Sequence, residues 1–286
     1  MTRQRPIFIL SHPRTGSTLL RYLIDAHPDV CCPSEIALGK LCAALSYTIG
    51  LTLNDARVRD AGGDRKAAIR AEVRRHVDAI MDAYCAARNK PRWCDKSTHN
   101  VEFLRQLPLF FPDAQYVSLH RECTDVVYSM LEAYRYGFPG KVGERVARYS
   151  SNFIEALMLE WHDSTSALLQ FEDAHRGCCL RMTYERLVGE PASTVARLCG
   201  FLELREVPSL VRDAFTTPKD AGPGDPKIRF TSRVMATRVG KGATLPLDRV
   251  SVECLDKVNA LNRQLGYAEL VRAGDGSAPP VRPIFA

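Results

Sequence analysis

No stretch of this chain approaches the roughly 18 consecutive apolar residues that a membrane-spanning helix needs. Near the amino terminus only residues 7–10 form an apolar run, too short for the core of a secretory leader. No basic run is interleaved with aromatics, and 39 basic against 33 acidic residues give a net charge of only +6. That balance suits a small anionic ligand and excludes a nucleic-acid partner. Neither C-x-x-C nor a paired Cys/His spacing occurs, so no metal site is expected. Cysteine itself is plentiful, at positions 31, 32, 42, 85, 94, 123, 178, 179, 199 and 254. Two adjacent pairs and several placements in apolar runs read as reduced, buried thiols of a cytoplasmic protein.

What is present is ordinary for a globular enzyme. The 286 residues are 45% hydrophobic and 25% charged, enough for one large domain burying about three quarters of its unfolded surface. The expected domain is 1–271. Residues 272–286, with three prolines and two glycines, read as a flexible tail.

Residues 7–10 suit one buried strand. Residues 12–18 are a hydroxyl-rich turn with Pro13 and Gly16, and helical spacing begins at Leu19. Further strands are expected at 92–95, 115–119 and 178–182. Helices are expected at 35–49, 64–87, 126–134, 147–171, 184–202 (interrupted near Pro191) and 247–265. Residues 28–34 and 96–100 read as turns, and 216–226, rich in Pro, Gly and Asp, as a connection. Alternating strands and helices predict an α/β fold: a P-loop-like parallel sheet flanked by helices, one domain with helical insertions.

A strand, a tight loop and a helix in that order build an anion cradle, because loop and first-turn N–H groups converge where the helix dipole is positive. A triphosphatase loop would read G-x-x-x-x-G-K-[ST]. Here Ser11 stands for the first glycine, Gly16 is kept, Ser17 replaces the lysine, Thr18 keeps the hydroxyl, and the cation is Arg14. A kinase uses that lysine and a metal on a highly charged phosphate pair. Its loss fits a less charged transferring group. The expected strand ends carry Arg14, Lys96 and Arg121, three cations at one sheet edge, which points to a ligand with at least two anionic groups.

The segment P-R-T-G-S-T-L-L-R-Y-L-I-D-A-H-P-D-V (13–30) resembles the 5′-phosphosulfate loop of sulfotransferases that use 3′-phosphoadenylyl sulfate (PAPS). The resemblance is to the branch of tyrosylprotein and bacterial stand-alone or polyketide-associated enzymes. Y-V-S-L-H-R-E-C-T-D-V-V-Y-S-M (116–130) resembles the family's 3′-phosphate motif, with Arg121 at the strand end and Ser129 eight residues later. M-T-Y-E-R-L-V-G-E-P (182–191), followed by F-L-E-L, is similar to its Tyr-Glu-x-Leu segment. R-V-G-K-G-A-T-L-P (238–246) is similar to its glycine-basic loop, but has Ala243 and Thr244 where the family carries tryptophan or arginine. The matches run from residue 7 to about 267.

The resemblance implies a PAPS-dependent sulfotransferase whose product is adenosine 3′,5′-bisphosphate and whose acceptor is a hydroxyl. Thr15, Gly16, Ser17 and Thr18 would hold the 5′-phosphate, with Arg14 at the bridging oxygen and Lys96 at the sulfuryl oxygens. Arg121 and Ser129 would hold the 3′-phosphate, Tyr184 would lie near adenine, and Lys241 and Gly242 would close over the phosphate. Glu35, in C-C-P-S-E, matches the catalytic glutamate of the tyrosylprotein branch. His99, three residues after Lys96, is the second candidate base. A sulfuryl group carries less charge than a phosphoryl group, so no metal is expected. Leu38, Leu41, Leu45, Tyr47, Tyr134, Tyr136 and Phe138 are candidate acceptor-pocket residues for a lipid, polyketide or phenol, or plain core. The alternatives are a kinase or triphosphatase on a variant P-loop, and a non-catalytic nucleotide-binding module.

Overall fold

A computed structural model describes residues 4–60, 62–135, 142–220 and 222–272. Its strands are β1 (Ile7–Ser11), β2 (Val30–Cys31), β3 (Arg92–Lys96), β4 (Gln115–His120) and β5 (Cys179–Thr183). They form one sheet in the order β2-β3-β1-β4-β5, and each pairing is parallel. The helices up to β5 are α1 (Ser17–Ala26), α2 (Leu38–Thr52), α3 (Asp55–Asp60), α4 (Arg65–Arg88), α5 (Leu107–Phe110), α6 (Cys123–Arg135), α7 (Val142–Arg148) and α8 (Phe153–Ala174). After β5 come α9 (Tyr184–Gly189), α10 (Pro191–Phe201), α11 (Leu210–Asp213) and α12 (Val252–Leu265).

The apolar run of β1 is buried along its whole length, as a strand covered by helices on both faces must be. Alternation divides its side chains between two core layers. Ile7 and Ile9 pack with Leu20 and Leu23 of α1 and Leu187 of α9. Phe8 and Leu10 pack on the other face with Val73 and Val77 of α4, Trp93 and Tyr116. A third cluster joins α6, α8 and α12 around Trp161.

The topology turns at β1. The chain first goes out to the edge strand β2, returns to β3 between β2 and β1, then crosses to β4 and β5. Ligand sites in such sheets lie beyond the carboxyl ends at the switch point. The loop after β1 is therefore flanked by the ends of β3 and β4, which carry Lys96 and Arg121.

Several expected boundaries move for local reasons. Residues 28–34 are more than a turn, since Val30 and Cys31 pair with Arg92 and Trp93 as an edge strand. The expected helix from 35 starts only at Leu38, because Ala37 takes a left-handed conformation with φ 53°. The expected 147–171 helix is broken, and α8 begins where the Asn152 side chain accepts from the amides of Ile154 and Glu155. The polar turn after Lys96 continues as a 3-10 helix, Thr98–Phe103. The expected 247–265 helix splits into a short turn and α12, capped by Ser251. Of the expected tail only Arg272 is described, with its guanidinium on the Val250 carbonyl; Tyr136, Phe138 and residues 273–286 lie outside the described residues.

None of the ten cysteines is in a disulfide, and eight are buried. Among the described residues no helix is long and apolar enough to cross a membrane.

Phe8 is wholly buried, and its ring meets Trp93, Phe111 and Tyr116 at centroid distances of 5.6, 5.1 and 5.7 Å. Phe8→Ala is expected to lower the unfolding free energy by about 3–5 kcal/mol, read from urea denaturation. A loss under about 1 kcal/mol would contradict this packing.

Candidate functional site

The loop between β1 and α1 is shaped by backbone geometry that most residues avoid. Arg14 has φ 69° and Gly16 φ 92°. At Gly16 a side chain is also barred by space, since an added Cβ would lie 2.4 Å from Cδ2 of Tyr184. Thr15 Oγ1 donates to the His12 carbonyl at 2.9 Å and tightens the turn. No side chain caps α1, so its first N–H groups stay open toward the loop. These groups, with the buried Ser17 and Thr18 in the first turn, form the expected cradle.

Arg14 is braced on two sides. Its Nε donates to Ser129 Oγ at 3.2 Å, and its Nη2 donates to Asp225 Oδ2 at 3.0 Å. The Asp225 amide donates to Thr18 Oγ1 at 3.2 Å. Residues 224–225, which the sequence places in a plain connection, therefore lie across the cradle.

Arg121 stands at the end of β4, 5% exposed. It donates to the carbonyls of Arg14 at 3.1 Å and Arg238 at 2.7 Å. Its guanidinium carbon lies 4.2 Å from the centre of the Tyr184 ring, and Asp125 is 3.7 Å away. Burial pushes the Tyr184 hydroxyl above its ordinary value, with the Arg121 charge opposing. The Arg121 Nε is buried with no hydrogen-bond partner among the described residues. A buried donor without an acceptor is costly, and this one suits an anion.

Asp125, which sequence reading missed, fastens the glycine-basic loop. Its two oxygens accept from the amides of Gly240 at 2.8 Å and Gly242 at 2.7 Å. Gly242 is buried against the backbone of Thr124, where an added Cβ would lie 2.1 Å from the carbonyl carbon. Its role is close approach, whereas Lys241 lines the cleft.

Glu35 and Lys96 meet. The Lys96 ammonium donates to Glu35 Oε1, and Thr98 Oγ1 donates to Oε2 at 3.2 Å. The Lys96 side chain is wholly buried and that of Glu35 is 15% exposed. Glu35 and Thr98 line a cleft of about 590 Å³, together with Arg14, Arg121, Ser129 and Tyr184. His99 is exposed and does not line it.

Of the expected acceptor residues, the described ones (Leu38, Leu41, Leu45, Tyr47 and Tyr134) do not line this cleft. Leu38 is core, and Leu41 and Leu45 pack beside it. Tyr47 is 72% exposed, and Tyr134 lies edge-on to Phe153. The helical period of α2 explains this, since its apolar stripe faces α4. Much of the apolar cleft wall comes from Ile228, Phe230, Val234 and Met235, beside Leu19 and Tyr128. The available signal was the basic series Lys227, Arg233, Arg238 and Lys241 in a stretch without regular periodicity.

A parallel sheet that switches direction at an uncapped helix start, with basic residues on both neighbouring strand ends, defines an α/β protein with a basic, polar cleft at its carboxyl edge. The chain belongs to the sulfotransferase family, whose model matches residues 6–208. Protein-tyrosine sulfotransferase A of Caenorhabditis elegans is 25% identical over 269 residues, 91% of this chain and 67% of its own length. The protein-tyrosine sulfotransferase of Drosophila melanogaster is 25% identical over 208 residues, 71% of this chain and 39% of its own length. The chain spans 65% of two further relatives, from Caenorhabditis briggsae and Caenorhabditis elegans.

Among solved structures, the sulfotransferase domain from the curacin biosynthetic pathway shares the fold, with a TM-score of 0.66, 20% identity and coverage of 93% of this chain and 98% of that one. The sulfotransferase domain of the Synechococcus PCC 7002 olefin synthase shares it too, with a TM-score of 0.63, 21% identity and coverage of 94% and 97%. Family membership does not favour the kinase alternative.

Asp125→Asn keeps the shape and removes the charge that holds two amides. Exchange of the Gly240 and Gly242 amides is expected to speed up by about tenfold or more, as for loss of a charge-assisted bond. Unchanged exchange at both would show that Asp125 does not fasten this loop.

Proposed function

We propose that the protein transfers the sulfuryl group of PAPS to a hydroxyl of a small-molecule acceptor, with Glu35 as the base. One observation carries this: a single cleft holds an anion cradle, a second basic pocket, and a carboxylate clamped between an ammonium and a hydroxyl. The donor's two anionic ends fit those residues. The cradle at residues 15–18 would take the 5′-phosphosulfate side. Arg121, with its unpartnered Nε, Ser129 and Lys241 would take the 3′-phosphate, with Tyr184 against the nucleotide.

When bound, PAPS supplies an electrophilic sulfur and a stable bisphosphate leaving group. The chain supplies the rest. Glu35 accepts the acceptor's hydroxyl proton, on a carboxylate whose orientation Lys96 and Thr98 fix. Lys96 is wholly buried against that carboxylate, so its charge acts by holding Glu35 in place. Arg14 and the open N–H groups of α1 present fixed positive charge at the anionic end of the cleft, where preorganised donors need no rearrangement.

The acceptor class remains the hydroxyl-bearing lipids, polyketides and phenols. The apolar wall of Ile228, Val234 and Met235 supports an acceptor with an apolar body, and the names of the relatives specify protein tyrosine, a phenol. Ten cysteines, eight of them buried and including two adjacent pairs, support a reducing compartment such as the cytoplasm.

The test is PAPS turnover on a panel of phenols, long-chain alcohols and hydroxy acids, followed by mass spectrometry of the sulfate ester. Glu35→Gln is expected to lower turnover at least about 100-fold, the usual size of a general-base contribution, whereas His99→Ala stays within about twofold. A dead His99→Ala beside an active Glu35→Gln would reverse the assignment. Arg121→Ala is expected to weaken binding of adenosine 3′,5′-bisphosphate about 10- to 100-fold by calorimetry, the loss of charge-assisted bonds. Unchanged affinity would place the bisphosphate elsewhere.

A further inference from the structure

Behind the Glu35 contacts lies a second set of bonds that proton transfer itself does not use. Leaving β3, the chain reads Asp95-Lys96-Ser97-Thr98-His99-Asn100. Lys96 and Thr98 reach the Glu35 carboxylate. Asp95, Ser97 and Asn100 are each 0% exposed and hold the turn that follows Glu35.

The two struts have the same logic. Ser97 Oγ donates to Asp95 Oδ1 at 2.8 Å and accepts from the Ala37 amide at 2.8 Å. Asn100 Nδ2 donates to Asp95 Oδ2 at 2.6 Å, and its Oδ1 accepts from the Gly39 amide at 3.0 Å. Burial pushes the Asp95 carboxyl up to about 6, so at neutral pH it is ionised and both oxygens only accept. That fixes which way Ser97 and Asn100 face. Each spends a donor on Asp95 and turns an acceptor toward the backbone.

The backbone needs such help. Ala37 is left-handed at φ 53° and ψ 52°, and no side chain caps α2 from its own N-cap position. Non-glycine residues avoid this region unless their surroundings hold them there. Gly39 adds a close approach, since a Cβ there would lie 2.6 Å from the Phe103 ring.

We propose that Asp95, Ser97 and Asn100 are positioning residues for the transfer step, two struts from one buried carboxylate that fix the 37–39 turn and thereby the stance of Glu35. The proposal rests on the reading of Glu35 as the base. Ser97 and Asn100 touch the backbone beyond Glu35, so they act only through where that side chain stands.

The experiment is a mutant cycle. Ser97→Ala and Asn100→Ala are made alone and in a Glu35→Gln background, and kcat, binding of adenosine 3′,5′-bisphosphate and amide exchange are measured. Each single variant is expected to lower kcat about 10- to 100-fold, as a misplacement of about 1 Å does. Bisphosphate affinity is expected to stay within about twofold. Exchange of the Ala37 amide in Ser97→Ala, and of the Gly39 amide in Asn100→Ala, is expected to rise at least about tenfold. In the Glu35→Gln background the same substitutions are expected to change the residual turnover less than about threefold, because the group they position is gone.

Equal losses in both backgrounds would show damage to the fold and overturn the proposal. So would faster exchange with an unchanged kcat. Glu35→Gln turning over at the wild-type rate would sink the base assignment, and this proposal with it. That outcome is distinct from a dead Glu35→Gln beside fully active strut variants, which overturns the positioning alone.

Discussion

A wholly buried ammonium must have a counter-charge, because removing an ion from water without one costs several kcal/mol. Lys96 is such a group, and Glu35 meets it. Much of the site follows from that pair. It brings the end of β3 to the segment after β2, and it puts a carboxylate at the cleft wall. It also makes the two halves unequal: removal of the acid strands the buried cation, at a cost of about 3–5 kcal/mol. The acid's own removal from water is incomplete, since its side chain is 15% exposed at the cleft wall.

The other side of the cleft is organised around Arg14. An arginine at a left-handed position in the loop after β1 is held by a hydroxyl from α6 and a carboxylate from the segment crossing the cradle. Arg121 in turn donates to the carbonyl of Arg14 and to that of Arg238. Loop, strand end and glycine-basic loop are thus tied into one unit. Asp125 closes the ring by holding the amides of Gly240 and Gly242 while standing beside Arg121. Arg14, Arg121 and Glu35 share the cleft and are reached by different strands, so under the proposed function chemistry and binding can be altered separately.

The sheet and its active edge were legible in the sequence because β1, β3 and β4 have short buried runs that end in polar turns. Glu35, Lys96 and Arg121 could be named from those endings and from the motifs around them. The edge strand Val30–Cys31 was not legible, since two residues carry no period. The role of residues 224–225 was hidden because Pro, Gly and Asp mark irregular backbone and say nothing of where it travels. The apolar lining of the cleft was hidden for a related reason. The leucines of α2 repeat with a helical period that serves core packing, whereas Ile228, Val234 and Met235 sit in irregular backbone. Asp125 was invisible because its partners are amides more than 100 residues away, and an amide has no signature in a sequence.

The central claim is that the cleft is a two-anion donor site with one end reserved for a second phosphate. Calorimetric titration of the unmodified protein with adenosine 3′,5′-bisphosphate and with adenosine 5′-monophosphate tests it without knowledge of the acceptor. The account predicts that the bisphosphate binds at least about tenfold more tightly, the worth of a charge-assisted contact at Arg121. Equal affinity for the two nucleotides would contradict it.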